Sequence, residues 1–549
     1  MSMVISRHRK PNLAHDLERL KNELRRDPPQ VVARFRRLLA ESSGFGDPIR
    51  STDFRALLAD LTIAVVRLFE EDNTRAVDLV EAGLVEAVIE VVELKDYFSW
   101  PVFWRAKPLF VLSVTIEHAG RVSTDARDRI FRTTTRLFKG IWERRDIVRL
   151  ADPGVYHLGG AVDDSTALST LLEAYYLIYR FADRAPELDT YIHHVHILLW
   201  VLSREEDEVP GIAFHGMLTT SLFSAWGPSL KDMQTAEKEI GPTPEAYLDV
   251  SARLVRESII EGMGPDRFIA ACEAELRGLI RHLECSCGNG VHDVQVLVLH
   301  VVTHDDVMPT VYKRDLLVQA LDALKLLFEN EVGAGKCTSL CMSCLYLVQI
   351  YYVYSARAAV KSAEPHRHPD IVDLYVIAME LVAAGCSLTV SKGDIHGAIT
   401  ASLGDIMQRI QDNKLTAGNN SPKYISALQH RAALYWYPTL QRLQRAVPTI
   451  ERERQLRTVN LAETSTVLYT WIAFGALLGL DANEQRRRHE SDRLQRCWWR
   501  ECQRSRDRGD ATVKLLACAG CGEVRYCNKH CQRLDWKIGG HKRMCRRLK

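Results

Sequence analysis

Glycine and proline are scarce in this chain, 31 and 19 of 549 residues. With 46% apolar and 26% charged residues, it is ordinary globular material, long enough for a large core or a long stack of helices. The first residues, MSMVISRHRKPN, lack the long apolar core of a signal peptide. Long hydrophobic runs are missing too. The longest, Val467 to Leu480, falls well short of the roughly 20 residues a spanning helix needs and carries Tyr469, Thr470 and Trp471, so a buried helix is expected rather than a membrane segment. A disulfide-like framework is also absent: seven of the fourteen cysteines sit near the C-terminus and the rest are scattered. That usage points to a soluble intracellular protein, with nucleus and cytoplasm both open. Period-two alternation is rare, Val294 to Val302 being ambiguous, and no βαβ pattern occurs. Gly335-Lys336 lacks the spacing of a phosphate-binding loop. No nucleophile–base arrangement and no carboxylate pair stands out, and a non-enzyme is expected.

What remains is helical periodicity. Asp27-Pro28-Pro29 is a helix start, Asp as N-cap and Pro in the first turn, followed by one apolar face of Val31, Val32, Phe35, Leu38 and Leu39. Phe54 to Phe69 repeats this with Leu57, Leu58, Leu61, Val65 and Leu68. Asn73 to Leu94 gives two amphipathic helices broken only at Gly83. Thr166 to Phe181, Tyr191 to Leu202, Arg314 to Phe328, Ser339 to Val360 and Ile371 to Ala384 carry similar stripes. Polar breaks at Gly227–Pro244, Ala363–Pro369 and Ala417–Pro422 suit loops between helices, and Ser421 to Asp481 supplies two or three more. The expected class is all-α.

The chemistry concentrates in the last fifty residues. Seven cysteines and one histidine form four close pairs: Cys497/Cys502, Cys518/Cys521, Cys527/Cys531 and His541/Cys545. Eight soft ligands in paired knuckles fit two closed tetrahedral zinc sites, one with four cysteines and one with three cysteines and a histidine. The last two pairs are spaced i,i+4, so one helical turn presents both ligands on one face. Gly520 and Gly522 let the chain turn around the Cys518/Cys521 knuckle. With every position filled, no site is left for a catalytic water, and structural zinc is expected.

The run C-AG-C-GEVRY-C-NKH-C-Q-RL-DW-KIGG-H-KRM-C closely resembles a MYND-type zinc finger in its YC…CQ…DW…H…C skeleton. The resemblance covers about the last fifty residues and implies a cross-braced module. One zinc would take Cys497, Cys502, Cys527 and Cys531, the other Cys518, Cys521, His541 and Cys545. The first pair is C-x4-C where C-x2-C is commoner, and Gly539 and Gly540 lengthen the approach to His541. Fingers of this family are protein-interaction modules that receive short proline-containing peptides, and the matching positions here are Gln532 and Trp536. Trp offers a rigid apolar surface for a proline ring, and Gln a two-sided amide. Enzymes that join such a finger to a SET methyltransferase domain carry it within the catalytic domain, whereas here it follows a helical chain without SET motifs. The Asn73–Leu94 pattern, with its glycine after E-A, resembles an armadillo repeat. The expected organisation is therefore an armadillo-like helical scaffold over 1–483, a charged linker or helix over 484–496, and the finger over 497–549.

Charge is uneven. From Glu484 to Lys549 there are nineteen Lys and Arg against eight Asp and Glu, an excess of eleven; the whole chain is +2, so the remainder carries −9. Two zinc–thiolate centres would bring the tail nearer +8, the four-thiolate centre carrying −2 and the other −1. Part of the basic excess thus offsets the centres, and the rest favours acidic partners or, as the alternative reading, nucleic acid.

Other candidates are weaker. His193, His194 and His196, at offsets of one to three on one apolar helix, do not share a face as ligands would, and ordinary helix histidines are expected. His282, Cys285, Cys287 and His292 surround a Gly-Asn-Gly turn, but C-x-C is unusual for zinc and no second cluster completes it. Cys337, Cys341 and Cys344 open an apolar segment and are expected as small buried hydrophobes.

Overall fold

A computed structural model describes residues 12–43, 48–148, 164–205 (without 183 and 185), 252–281, 304–331, 344, 347, 348, 350, 370–383, 395–411, 421–455 and 462–495; in the tail it describes 497–499, 502, 514–522, 524–537, 541 and 545. Helices dominate, and the described strands are two residues long. The chain divides into two compact units, Met1–Ala274 and Glu275–Lys549.

In the first unit α1 (Asn12–Arg26) is followed by α2 (Pro28–Ser43), and Gln30 N donates to the Asp27 side chain at 3.1 Å, the N-cap expected from sequence. Val31, Val32, Phe35 and Leu39 are buried on one face of α2. Ser51 and Ser123 cap α3 (Thr52–Glu71) and α7 (Thr124–Glu143) in the same way. Between them, α4 (Arg75–Glu81) and α5 (Leu84–Val92) meet at Gly83, whose φ of 84° is the left-handed conformation that glycine adopts without steric cost. The hub is α6 (Val102–Val122), which packs against α3, α4, α5, α7 and α8 (Asp164–Phe181). Its Leu109, Val111, Leu112, Ile116 and Ala119 are all buried. Gly120 is there because Ile178 of α8 lies where a Cβ would stand, 2.1 Å away. Next come α9 (Ile192–Glu205), a π-helix Val255–Met263, and the start of α10 (Pro265–Arg281), whose residues from Glu275 on belong to the second unit.

Arginines on and just after α7 hold its neighbours by their C-termini. A helix ends in carbonyls without intrahelical partners and in negative partial charge, which a guanidinium satisfies on both counts. Arg129 donates to Glu81 O at 3.1 Å, at the end of α4. Arg144 donates to Val92 O at 3.1 Å and to Glu93 O, at the end of α5. Arg127 reaches Phe181 O at 2.8 Å, at the end of α8, and Arg145 reaches Gly262 O at 2.7 Å, in the π-helix.

The three histidines of α9 are core residues, as expected. His193 bonds the Tyr176 hydroxyl and Pro186 O, both at 3.1 Å, and His196 lies 3.4 Å from the same hydroxyl. His194 Nε2 donates to Glu257 of the π-helix at 3.0 Å, its ring edge-on to Trp142. Burial pushes His193 down to about 4 and His196 to about 3, and lowers His194 as well.

The second unit comprises α11 (Met308–Lys313), α12 (Leu316–Glu331), α13 (Asp370–Ala383), α14 (Ile395–Gln411), α15 (Ser421–Gln455), α16 (Ala462–Leu477) and α17 (Ala482–Gln495), then the C-terminal module. Asp373 of α13 ties three helices together: it accepts from Arg431 of α15 at 2.6 and 2.8 Å and from Lys325 of α12 at 2.8 Å. α15 and α16 lock through two tryptophans, Trp436 and Trp471, both fully buried. The segment Val467 to Leu480, expected as a buried helix, buries one face only, with Val467, Trp471, Phe474 and Leu478 inside and Tyr469 68% exposed. Among the described residues, no single helix is long and apolar enough to cross a membrane. Cys344 is fully buried, and desolvation pushes its thiol up to about 12, as befits a small hydrophobe. His282, Cys285, Cys287, His292, Cys337 and Cys341 lie outside the described residues, as do the ambiguous segment Val294 to Val302 and Gly335-Lys336.

Candidate metal centre

Residues 484–495 are helical: they belong to α17, which is capped by Asp481, whose side chain accepts from Glu484 N at 2.8 Å. It is not simply a solvated rod. His489 lies between Tyr437 of α15, 5.7 Å between ring centroids, and Trp498, also 5.7 Å, so one imidazole joins the helical part of the second unit to the C-terminal module. Trp498 N in turn donates to Arg525 O at 2.8 Å.

The module is built on a short antiparallel pair, β1 (Leu516–Ala517) and β2 (Arg525–Tyr526), followed by α18 (Lys529–Lys537). The strands close around the Cys518/Cys521 knuckle, where Gly522 has φ 64° and donates its N–H to Cys518 O at 2.8 Å. Gly520 is required for a different reason: a Cβ there would stand 2.7 Å from Cys545 Sγ. Asn528 starts α18 by accepting from Cys531 N at 2.8 Å. Cys527 therefore sits just before the helix and Cys531 in its first turn, so this pair straddles the cap instead of sharing a helical face. His541 and Cys545 do follow the expected helical spacing, with Cys545 N bonded to His541 O at 2.7 Å.

These elements gather all eight donors into two groups, Cys497, Cys502, Cys527, Cys531 and Cys518, Cys521, His541, Cys545, with the ligand atoms of each within 4.8 Å of one another. Four sulfurs about 2.3 Å from one tetrahedral zinc would stand about 3.8 Å apart, and a sulfur and an imidazole nitrogen about 3.5 Å. The Sγ atoms of Cys502 and Cys527 are 3.6 Å apart, those of Cys527 and Cys531 3.4 Å, and those of Cys518 and Cys545 3.8 Å. His541 Nε2 lies 3.3 Å from Cys518 Sγ and 3.6 Å from Cys521 Sγ. The donor sets fit zinc, and pairing of the first knuckle with the third and the second with the fourth is the cross-brace. The long C-x4-C knuckle still delivers Cys497, which is buried and accepts from Cys527 N at 3.4 Å.

Without a metal, Cys497, Cys531 and Cys545 resist ionisation. Burial, with the neighbouring Cys502 and Cys527 adding to it, pushes Cys497 up to about 11, and Cys531 rises for the same leading reason. Cys545 is pushed up to about 12 by burial and by Cys518 opposite it. Cys518 itself is held low: burial opposes, but the backbone N–H groups of Cys521 and Gly520 and the adjoining thiols donate to its sulfur. A divalent cation lets all seven act as thiolates near neutral pH, releasing protons as it binds.

Around the ligands lies a small core of Trp499, Val524 and Tyr526. The Tyr526 hydroxyl donates to Asp535 at 2.6 Å, joining β2 to α18. Burial and the Asp535 carboxylate raise the Tyr526 phenol well above its usual range, so it stays a donor. Trp536 is half-buried, its ring 5.9 Å from that of His541, and Gln532 one turn earlier is half-buried too. Trp536 thus lends one side to the module and leaves part of its ring accessible.

The MYND finger description matches residues 497–545, the span that carries the eight ligands. No curated protein and no solved structure matches the chain. The C-terminal module is a MYND finger, a zinc-binding protein-interaction module with two zinc sites, and it follows an all-α chain.

Proposed function

We propose that the MYND finger at 497–545 makes this chain an adaptor: it captures short proline-containing peptides of partner proteins while the helical body acts as the scaffold that carries it. The observation that supports this reading is the pair Gln532 and Trp536. They stand one turn apart on α18, both half-buried, with the Trp536 ring 5.9 Å from that of His541. A half-exposed indole backed by a metal-held imidazole is a rigid apolar surface that loses little entropy when a proline ring packs on it. The Gln532 amide supplies both a donor and an acceptor to peptide backbone. The metals serve folding: a structural zinc contributes on the order of 10 kcal/mol in small fingers, more than so short a stretch can gain from its own core. No catalytic step is assigned to the chain. All eight donors are committed to the two closed groups, which leaves no ligand position for substrate.

A peptide-library selection on the zinc-loaded full chain, run beside Trp536→Ala, tests the reading. Enrichment of proline-containing peptides that disappears in the variant supports it. No enrichment, with both zincs present, overturns it and leaves the finger as a folded cap.

A further inference from the structure

We infer that the peptides captured at this site carry acidic residues beside their proline anchor, a statement that rests on the peptide-binding reading above. At about 100° per residue, Lys529, Gln532, Arg533 and Trp536 fall within one arc of roughly 100° on α18. Lys529 and Arg533 are exposed on that arc, one turn apart, and Arg533 stands three residues before Trp536. Neither has an ion-pair partner among the described residues. The acidic residue of α18, Asp535, does not offset them: it is 3% exposed and holds the Tyr526 hydroxyl. The face that offers the Trp536 ring therefore offers two positive charges and no negative one from its own helix. The zinc–thiolate groups temper the surrounding excess without cancelling it, since the tail from Glu484 keeps its surplus of basic residues after their charge is counted.

The chemistry that complements this face is a peptide whose proline packs on Trp536 and whose Asp or Glu residues run past Arg533 towards Lys529. Charges at the rim of a peptide groove act mainly on encounter and selectivity, and each exposed pair adds a modest amount. Two such pairs correspond to a preference of roughly three- to tenfold over a neutral peptide, shrinking as salt shortens the screening length.

The experiment uses the zinc-loaded full chain and two fluorescent peptides with the same Pro-Pro core, one flanked by three Asp and the other by three Asn. The Asp peptide binds roughly three- to tenfold tighter at low salt, and the gap closes as salt rises. Arg533→Glu together with Lys529→Glu removes or reverses the preference while the Asn peptide keeps its affinity within twofold. Zinc stoichiometry and circular dichroism verify that this variant is folded. Equal binding of the two peptides to the native chain overturns the inference and leaves the adaptor reading standing. Failure of both peptides to bind the folded native chain overturns the two together. A single-stranded oligonucleotide that displaces both peptides alike and outbinds them assigns the cationic face to nucleic acid and overturns the acidic-peptide assignment.

Discussion

The Tyr526 hydroxyl donates to the Asp535 carboxylate at 2.6 Å, and both residues are buried. Tyr526 immediately precedes the ligand Cys527, and Asp535 immediately precedes Trp536. The bond therefore fixes the strand that delivers one zinc ligand to the helix that displays the peptide surface. Tyr526→Phe removes this donor from a buried carboxylate, at a cost of about 1–3 kcal/mol. The expected result is zinc release from the full chain at lower chelator concentration and faster hydrogen exchange in α18. Unchanged zinc retention would argue that the pair is incidental.

Replacing a ligand has a larger effect. Cys531→Ala or His541→Ala leaves a three-donor set, and the finger loses most of the folding energy that the metal supplies. Limited proteolysis should remove the residues beyond about 495 and spare the helices up to α16. Parallel loss of α15 and α16 would show that the His489 bridge between Tyr437 and Trp498 makes the finger part of the same cooperative unit.

The first unit should be acid-sensitive. His193 and His196 titrate near 4 and 3 when folded against 6.5 when exposed, so the unfolded chain binds more protons below neutrality. Their contribution is fully present above pH 6.5 and is lost as pH falls towards the folded values. At pH 5 each costs on the order of 2 kcal/mol, and His194, also lowered, acts in the same direction. Hydrogen exchange at α9 in the full chain should show a steep loss of stability between pH 6.5 and 4. A flat profile over that range would contradict the buried histidine arrangement.

Trp436 and Trp471 each donate the indole N–H to the other's backbone carbonyl, at 2.9 and 3.2 Å, and Gly475 makes room for the Trp436 ring. A Cβ at Gly475 would meet that ring at 2.1 Å. Gly475→Ala should therefore destabilise the second unit by about 1–3 kcal/mol through overpacking. Gly404, inside α14 with open space around it, is the control, and Gly404→Ala should be neutral or stabilise by up to about 1 kcal/mol. Denaturant melts of the two variants check the contrast.

Local rules made much of this legible in the sequence. Asp27 caps α2 and Gly83 turns left-handed because both signals act within a few residues. The eight ligands were readable because a closed zinc site demands fixed residue types at short spacings. Where interactions span distant segments, the sequence was silent. Nothing local shows that Arg127, Arg129, Arg144 and Arg145 cap four other helices, since each partner is a backbone carbonyl that any residue possesses. Likewise, EQRRRHESDRLQR is charged enough to suggest a solvated helix or linker, and only the positions of Tyr437 and Trp498 reveal that His489 is held. The cap at Asn528, which places Cys527 outside the helix, was obscured by an i,i+4 spacing that suits a continuous turn equally well.

The most direct test of the account is hydrogen–deuterium exchange on the zinc-loaded full chain, with and without a proline-containing peptide taken from the selection. The account predicts slowed exchange confined to β2 and α18, residues 524–537, and no such protection in Trp536→Ala. Protection in the helical body with the finger unchanged would contradict it and move the binding surface away from Gln532 and Trp536.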